Sequence, residues 1–230
     1  MSKTKKTYIF ILCPHFQGST VLVNLLTSSN KTSTFFKKGN NVGEGTVHFK
    51  EAEIKDFNKW TNAHDLNYKL DYSKVKEAYD KNWDLSKPVL VEKCPLLISR
   101  AKDIEDYFSQ FGDVYFLISI RSPYSTDGYY GDTWVKNAKC QKKNIESLKN
   151  KILTNYEEAC LYTDNLIKKI QKKIPILDDL KITEYKDIKG ERGKKIHSEK
   201  VHRVLDKYIK NRHLKNNKDL MKYFNYDFIN

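Results

Sequence analysis

Three short runs of nearly continuous apolar residues, each ending in polar or reactive side chains, constrain this chain more than any other feature. They are Tyr8-Ile9-Phe10-Ile11-Leu12-Cys13, Pro88-Val89-Leu90-Val91, and Val114-Tyr115-Phe116-Leu117-Ile118-Ser119-Ile120. A strand that is apolar at every position is buried on both faces, which marks a parallel sheet held between helices. The segments between the runs agree. Val21-Leu22-Val23-Asn24-Leu25-Leu26 follows a Gly18-Ser19-Thr20 turn, and Leu96, Leu97, Ala101, Ile104, Tyr107, Phe108 and Phe111 recur at helical spacing. The pattern predicts a three-layer α/β fold, a central parallel β-sheet of about five strands flanked by helices, over a single domain of residues 1–230 with a basic tail at 1–6.

The rest of the chain is less patterned. Residues 30–47 are polar and glycine-containing and read as loop, and residues 50–86 read as short helices with scattered aromatics. Leu148, Ile152, Tyr156, Ala159, Thr163, Leu166 and Ile170 step by three and four, predicting one long helix over 140–173, stopped by Pro175. Leu180–Glu184 is expected to be the last strand, and two short helices are expected over 199–224.

Charge and cysteine usage narrow the class. The chain carries a formal net charge of +13, which suits anionic partners. Only five of its 42 basic residues are arginine, the residue best suited to planar base recognition, so nucleic acid is a poor match. Cys13, Cys94, Cys140 and Cys160 are far apart and form no C-x-x-C pair, which predicts reduced thiols in a cytoplasmic setting and no metal centre. No apolar run approaches a membrane span, and no small-residue cleavage pattern follows Tyr8–Cys13.

In open parallel sheets, ligands bind outside the carboxyl ends of the strands. The first run leads into His15-Phe16-Gln17-Gly18-Ser19-Thr20 and then a helix, a turn whose N–H groups and helix dipole suit phosphate or sulfate. It lacks the lysine and glycine pair of a nucleoside triphosphatase loop. The second run ends Glu92-Lys93-Cys94-Pro95 and the third Arg121-Ser122-Pro123-Tyr124. An arginine just past a buried strand calls for an anion or a carboxylate.

These three strand ends, in this order, resemble the sulfotransferases that use 3′-phosphoadenosine 5′-phosphosulfate. Pro14 and Gln17-Gly18-Ser19-Thr20 are similar to that family's P-[RK]-S-G-[ST]-T loop, with one extra residue between. Glu92-Lys93-Cys94-Pro95 is similar to E-K-[ST]-P and Arg121-Ser122-Pro123-Tyr124 to R-[DNS]-P-Y. The ending Tyr223-Phe224-Asn225-Tyr226-Asp227 is similar to the family's F-G-Y-[DE]. The resemblance implies a P-loop NTPase-like sulfotransferase fold, and a loop of His15, Phe16, Gln17, Gly18, Ser19 and Thr20 holding the 5′-phosphosulfate. It also implies Arg121 on the 3′-phosphate, Tyr185 beside the adenine, and a closing Lys/Gly loop in which Lys189, Gly190 and Lys194 meet the 3′-phosphate. Two positions depart from the family pattern. Phe16 stands where a basic residue is expected, and Tyr129 where a serine is expected eight residues after Arg121, its hydroxyl still able to donate.

Gly43-Glu44-Gly45-Thr46-Val47-His48-Phe49 resembles the setting in which some family members place a general base. Glu44 is the first candidate for that role and His48 the second. Lys93 is the candidate to replace the missing loop cation, since sulfuryl transfer, like phosphoryl transfer, gathers charge on the leaving oxygen. The expected activity is sulfuryl transfer from 3′-phosphoadenosine 5′-phosphosulfate, without a metal, to a hydroxyl or amine on a small molecule, carbohydrate or tyrosyl peptide. Residues 50–86 are the expected acceptor-side insertion. The alternatives are a P-loop-like small-molecule kinase, disfavoured by the missing lysine, and an inactive basic module for polyanions or nucleic acid.

Overall fold

The computed structural model describes residues 5–15, 17–35, 44–52, 54, 68–93, 95–124, 132–182 and 212–227. The three apolar runs form β1 (Lys6–Leu12), β3 (Val89–Lys93) and β4 (Gly112–Ile120) of a five-stranded sheet; with β2 (Thr32–Thr34) and β5 (Lys151–Asn155) at its edges the order is β2-β3-β1-β4-β5, every pairing parallel. Helices cover both faces. Tyr8, Phe10 and Leu12 of β1 pack with Val75, Ala78 and Tyr79 of α2 (Tyr72–Asn82) and with Ile104 and Phe108 of α3 (Ala101–Phe108). The alternate residues Ile9, Ile11 and Cys13 pack with Leu22, Leu25 and Leu26 of α1 (Ser19–Leu26) on the other face. That face also carries Tyr156 of α5 (Tyr156–Leu161) and Leu166 and Ile170 of α6 (Thr163–Lys173). Period-two alternation with both sides apolar is what made these strands readable in the sequence.

Three strands and one long helix differ from the sequence expectation. Thr32–Thr34, read as loop, is the edge strand β2, too short and too polar to leave a pattern. The single helix expected over 140–173 is instead α4 (Asp132–Ser147), β5 (Lys151–Asn155), α5 and α6. The three-and-four spacing of Leu148, Ile152 and Tyr156 arises because a turn, a strand and a helix start each bury one residue there. The overlooked signal is Asn155-Tyr156-Glu157-Glu158, an N-cap with a carboxylate three residues on. The Asn155 side chain accepts the Glu158 N–H at 2.7 Å, as a capping residue should. The strand expected at Leu180–Glu184 is not formed over its described residues 180–182. Of the region 199–224, residues 212–224 are described and hold two short helices, α7 (Arg212–Lys215) and α8 (Lys218–Tyr223).

The topology locates a crevice. The connection from β1 through α1 to β2 runs one way along the sheet, and that from β3 through α3 to β4 runs the other way, over the opposite face. The carboxyl ends of β3, β1 and β4 therefore lie side by side where the winding reverses. Gln141 of α4, wholly buried, binds two of those ends. Its Nε2 donates to the Leu12 carbonyl at 2.7 Å and the Ser119 carbonyl at 3.0 Å, while Asn144 donates to Ile98 O at 3.0 Å and to Gln141 Oε1 at 3.2 Å. Among the described residues no helix is long and apolar enough to cross a membrane. Replacing Gln141 by Leu, of similar volume, strands two buried carbonyls and should lower stability by about 2 kcal/mol or more. Denaturant unfolding of Gln141→Leu checks this, and an unchanged midpoint would contradict it.

Candidate functional site

The β1–α1 turn is built on Gly18. Its φ of +96° lies in the left-handed region, and a Cβ there would sit 2.1 Å from the Tyr156 ring, so both the conformation and the space demand glycine. Gly18 is also the N-cap of α1, and among the described residues no side-chain cap hydrogen bond is made at that end. The first N–H groups of α1 are thus left for something other than a capping side chain. Gln17, just before Gly18, has no exposed surface, and its Oε1 accepts the backbone N–H of Arg121 at 3.1 Å. That bond fixes which way the amide points, because Nε2 cannot face another donor. Nε2 itself is buried without a hydrogen-bond partner. Ser19 is buried, and His15 and Thr20 are half-buried.

Arg121 ends β4 on the same sheet face as Lys93 and Cys13, and is 8% exposed. Its guanidinium lies 4.2 Å above the Tyr156 ring, a cation–π contact, and its carbonyl accepts the Trp134 indole N–H at 2.9 Å. The following residue, Ser122, donates its backbone N–H to Glu157 at 3.0 Å, and Glu157 also accepts the Tyr226 hydroxyl at 2.9 Å. Burial, with Glu157 adding to it, holds the Tyr226 phenol well above its ordinary value. The chain's last described turn is therefore tied to the Arg121 loop. Asn225 makes this possible by adopting a φ of 59°, a conformation asparagine tolerates, at the position where the resembled F-G-Y-[DE] ending has glycine.

At the end of β3, Lys93 Nζ donates to Glu44 Oε1 at 3.1 Å, the two side chains 3% and 17% exposed. Glu92 is buried, and the Gly45 N–H donates to its Oε1 at 3.2 Å. Burial pushes the Glu92 carboxyl up to about 8, with neighbouring Glu44 adding to the shift while the Gly45 N–H and Lys93 oppose it. Burial likewise pushes the Cys13 thiol up to about 12, against the pull of Lys93 and Arg121. Both cations therefore face the same strand-end space as Cys13. Among the described residues no group of three or more His, Cys, Asp or Glu could hold a metal.

Of the residues singled out in the sequence, the structure gathers His15, Gln17, Gly18, Ser19, Thr20, Lys93, Glu44 and Arg121 at the carboxyl edge. His48 is buried, its ring 5.4 Å from that of Phe35 within the aromatic core. Tyr79 and Trp83, from the stretch expected to shape an acceptor pocket, are core residues too, and the Trp83 indole donates to Val91 O at 3.1 Å. Phe16, Tyr129, Tyr185, Lys189, Gly190 and Lys194 lie outside the described residues. Sequence reading missed Tyr156, Glu157 and Gln141. The first two were hidden by the helix misread across β5, and the third by the absence of any polar pattern around it.

No protein-family model matches the chain, and no curated protein matches its sequence. Among solved structures it is similar to the sulfotransferase domain from the Synechococcus PCC 7002 olefin synthase, at 14% identity and a TM-score of 0.49, over 97% of this chain and 96% of that one. It is also similar to the sulfotransferase domain from the curacin biosynthetic pathway, at 15% identity and a TM-score of 0.41, over 90% and 81% of the two chains.

Glu92 holds its proton more tightly in the folded chain than in the unfolded one. Between the ordinary carboxyl value and about 8, unfolding therefore releases a proton, and stability falls as pH rises through that window. Glu92→Gln removes this contribution. Thermal unfolding should show the variant gaining on wild type more at pH 8.5 than at pH 5, and a pH-independent difference would contradict the assignment.

Proposed function

We propose that the chain is a sulfotransferase that moves a sulfuryl group from 3′-phosphoadenosine 5′-phosphosulfate to a hydroxyl or amine. The observation that carries this reading is the joint between the first loop and Arg121. A helix N-terminus without a side-chain cap, a buried amide donor without a partner, and an arginine seated on an aromatic ring are linked by one hydrogen bond. Backbone N–H groups and a fixed amide suit the 5′-phosphosulfate, and a guanidinium held 4.2 Å over Tyr156 suits a second phosphate. Two anion-accepting points, joined through the Gln17–Arg121 hydrogen bond, fit a nucleotide that is phosphorylated at both ends.

In this reading Gln17, Gly18, Ser19 and Thr20, with His15 beside them, hold the phosphosulfate. Arg121 holds the 3′-phosphate. Tyr185, outside the described residues, keeps the adenine-side place that the resemblance implies, while the buried Tyr156 ring supports Arg121. Glu44 accepts the proton of the attacking hydroxyl, and Lys93 orients that carboxylate through the 3.1 Å contact. Lys93 is thus a partner of the base rather than a free cation on the leaving group. The N–H donors of the first loop then carry the charge that develops on the bridging oxygen.

Adenosine 3′,5′-bisphosphate should raise the melting temperature more than ATP or AMP, with or without Mg²⁺. Stronger protection by ATP with Mg²⁺ would favour a kinase, and a steeply salt-dependent, nucleotide-indifferent response would favour a polyanion-binding module. Arg121→Ala should weaken bisphosphate binding by roughly tenfold or more, and retained affinity would remove Arg121 from the 3′-phosphate. Glu44→Gln should leave bisphosphate binding intact and lower kcat by roughly a hundredfold, the ordinary scale of general-base catalysis. An unchanged kcat would move the base elsewhere.

A further inference from the structure

Neighbouring residues of a strand point to opposite faces of the sheet, and Glu92 and Lys93 do so at the end of β3. Their register partners on β1, Phe10 and Ile11, belong to the two different cores. The Glu44-Gly45 dipeptide closes over this strand end from both sides. The Glu44 carboxylate accepts from Lys93 at 3.1 Å and the Gly45 N–H donates to Glu92 at 3.2 Å. Four residues thus make a ring of two chain links and two hydrogen bonds. There is no slack at its corner, since a Cβ on Gly45 would sit 2.4 Å from the Tyr79 ring and 2.9 Å from that of Phe35. Glu92 and Gly45 are the members of the ring with no part in the reaction as described, and Glu92 is the one with a side chain.

Resting on the sulfotransferase reading, we propose that Glu92 is a positioning residue of the transfer site: its carboxyl group fixes the Gly45 amide and so aims Glu44 along Lys93. The groups facing Glu92 are Glu44 and Gly45 from the loop, Lys93 on its own strand and the Tyr79 hydroxyl from α2, while β1 presents Phe10. With Glu92 neutral, Glu44 and Lys93 balance. As pH rises through about 8, Glu92 ionises and the strand end becomes net negative. A polyanionic donor is then repelled.

The test compares wild type with Glu92→Gln, which keeps an acceptor for Gly45 but cannot ionise, and Glu92→Leu, which keeps neither property. Gly45 amide hydrogen exchange is measured on all three, together with donor KM and kcat from pH 6.5 to 9.5. Wild type should show donor KM rising about threefold or more between pH 7 and 9, the scale of one added charge in a partly screened site. Glu92→Gln should keep Gly45 protection and kcat and lose that alkaline rise. Glu92→Leu should lose Gly45 protection and about tenfold in kcat, with donor KM at pH 7 nearly unchanged, since the donor loop is elsewhere. An alkaline rise that persists in Glu92→Gln, or Gly45 protection that persists in Glu92→Leu, overturns the proposal. If no phosphosulfate donor is turned over, the sulfotransferase reading fails by itself. Gly45 exchange then still decides whether Glu92 positions the loop, and the Glu92→Gln profile decides it should Glu92→Leu not fold.

Discussion

The hydrogen bond from the Arg121 backbone N–H to the buried Gln17 side chain joins the two halves of the candidate site. Without it, no direct hydrogen bond among the described residues would join the β1–α1 loop to Arg121, and the two would be held through the strand pairing, Gln141 and Tyr156. With it, the loop's free amide donor and the guanidinium are fixed relative to each other. The supports converge on this point. Gly18 leaves room for Tyr156, Tyr156 carries Arg121, Trp134 takes the Arg121 carbonyl, and Gln141 ties the ends of β1 and β4 beneath. Fixed donors act on an anion at little reorganisation cost, which is the condition under which they contribute most to group transfer.

The end of β3 solves a different problem. A carboxylate and an ammonium taken out of water are stable only when paired and hydrogen-bonded, and Glu44 and Lys93 meet that condition. Glu92 meets it by remaining a neutral acid. At this strand end Glu44 meets a cation at the crevice, while the Glu92 carboxyl is buried on the other face with the Gly45 N–H on it.

The fold was readable where burial is two-sided. β1, β3 and β4 are apolar throughout because helices cover both faces, and their order along the chain implied the parallel sheet. The edges were not readable, since Thr32–Thr34 and Lys151–Asn155 bury little and pair on one side only. The misread of β5 also displaced the site, because Tyr156 and Glu157 follow that strand. At the site, Gln17, Gly18, Lys93 and Arg121 were legible from their places just past apolar runs. What a sequence could not convey is partnership: that Lys93 is committed to Glu44, or that Gln17 reaches Arg121 across 104 positions of the chain.

The central claim is that the Gln17–Arg121 joint is an anion cradle for a bisphosphorylated nucleotide. The most direct measurement is calorimetric titration of adenosine 3′,5′-bisphosphate into wild type and Gln17→Glu. The variant keeps the acceptor for Arg121 but replaces the buried donor with a carboxylate, so it should stay folded and lose about tenfold or more in affinity. Equal affinity in the two proteins, or no binding by wild type, would contradict the account.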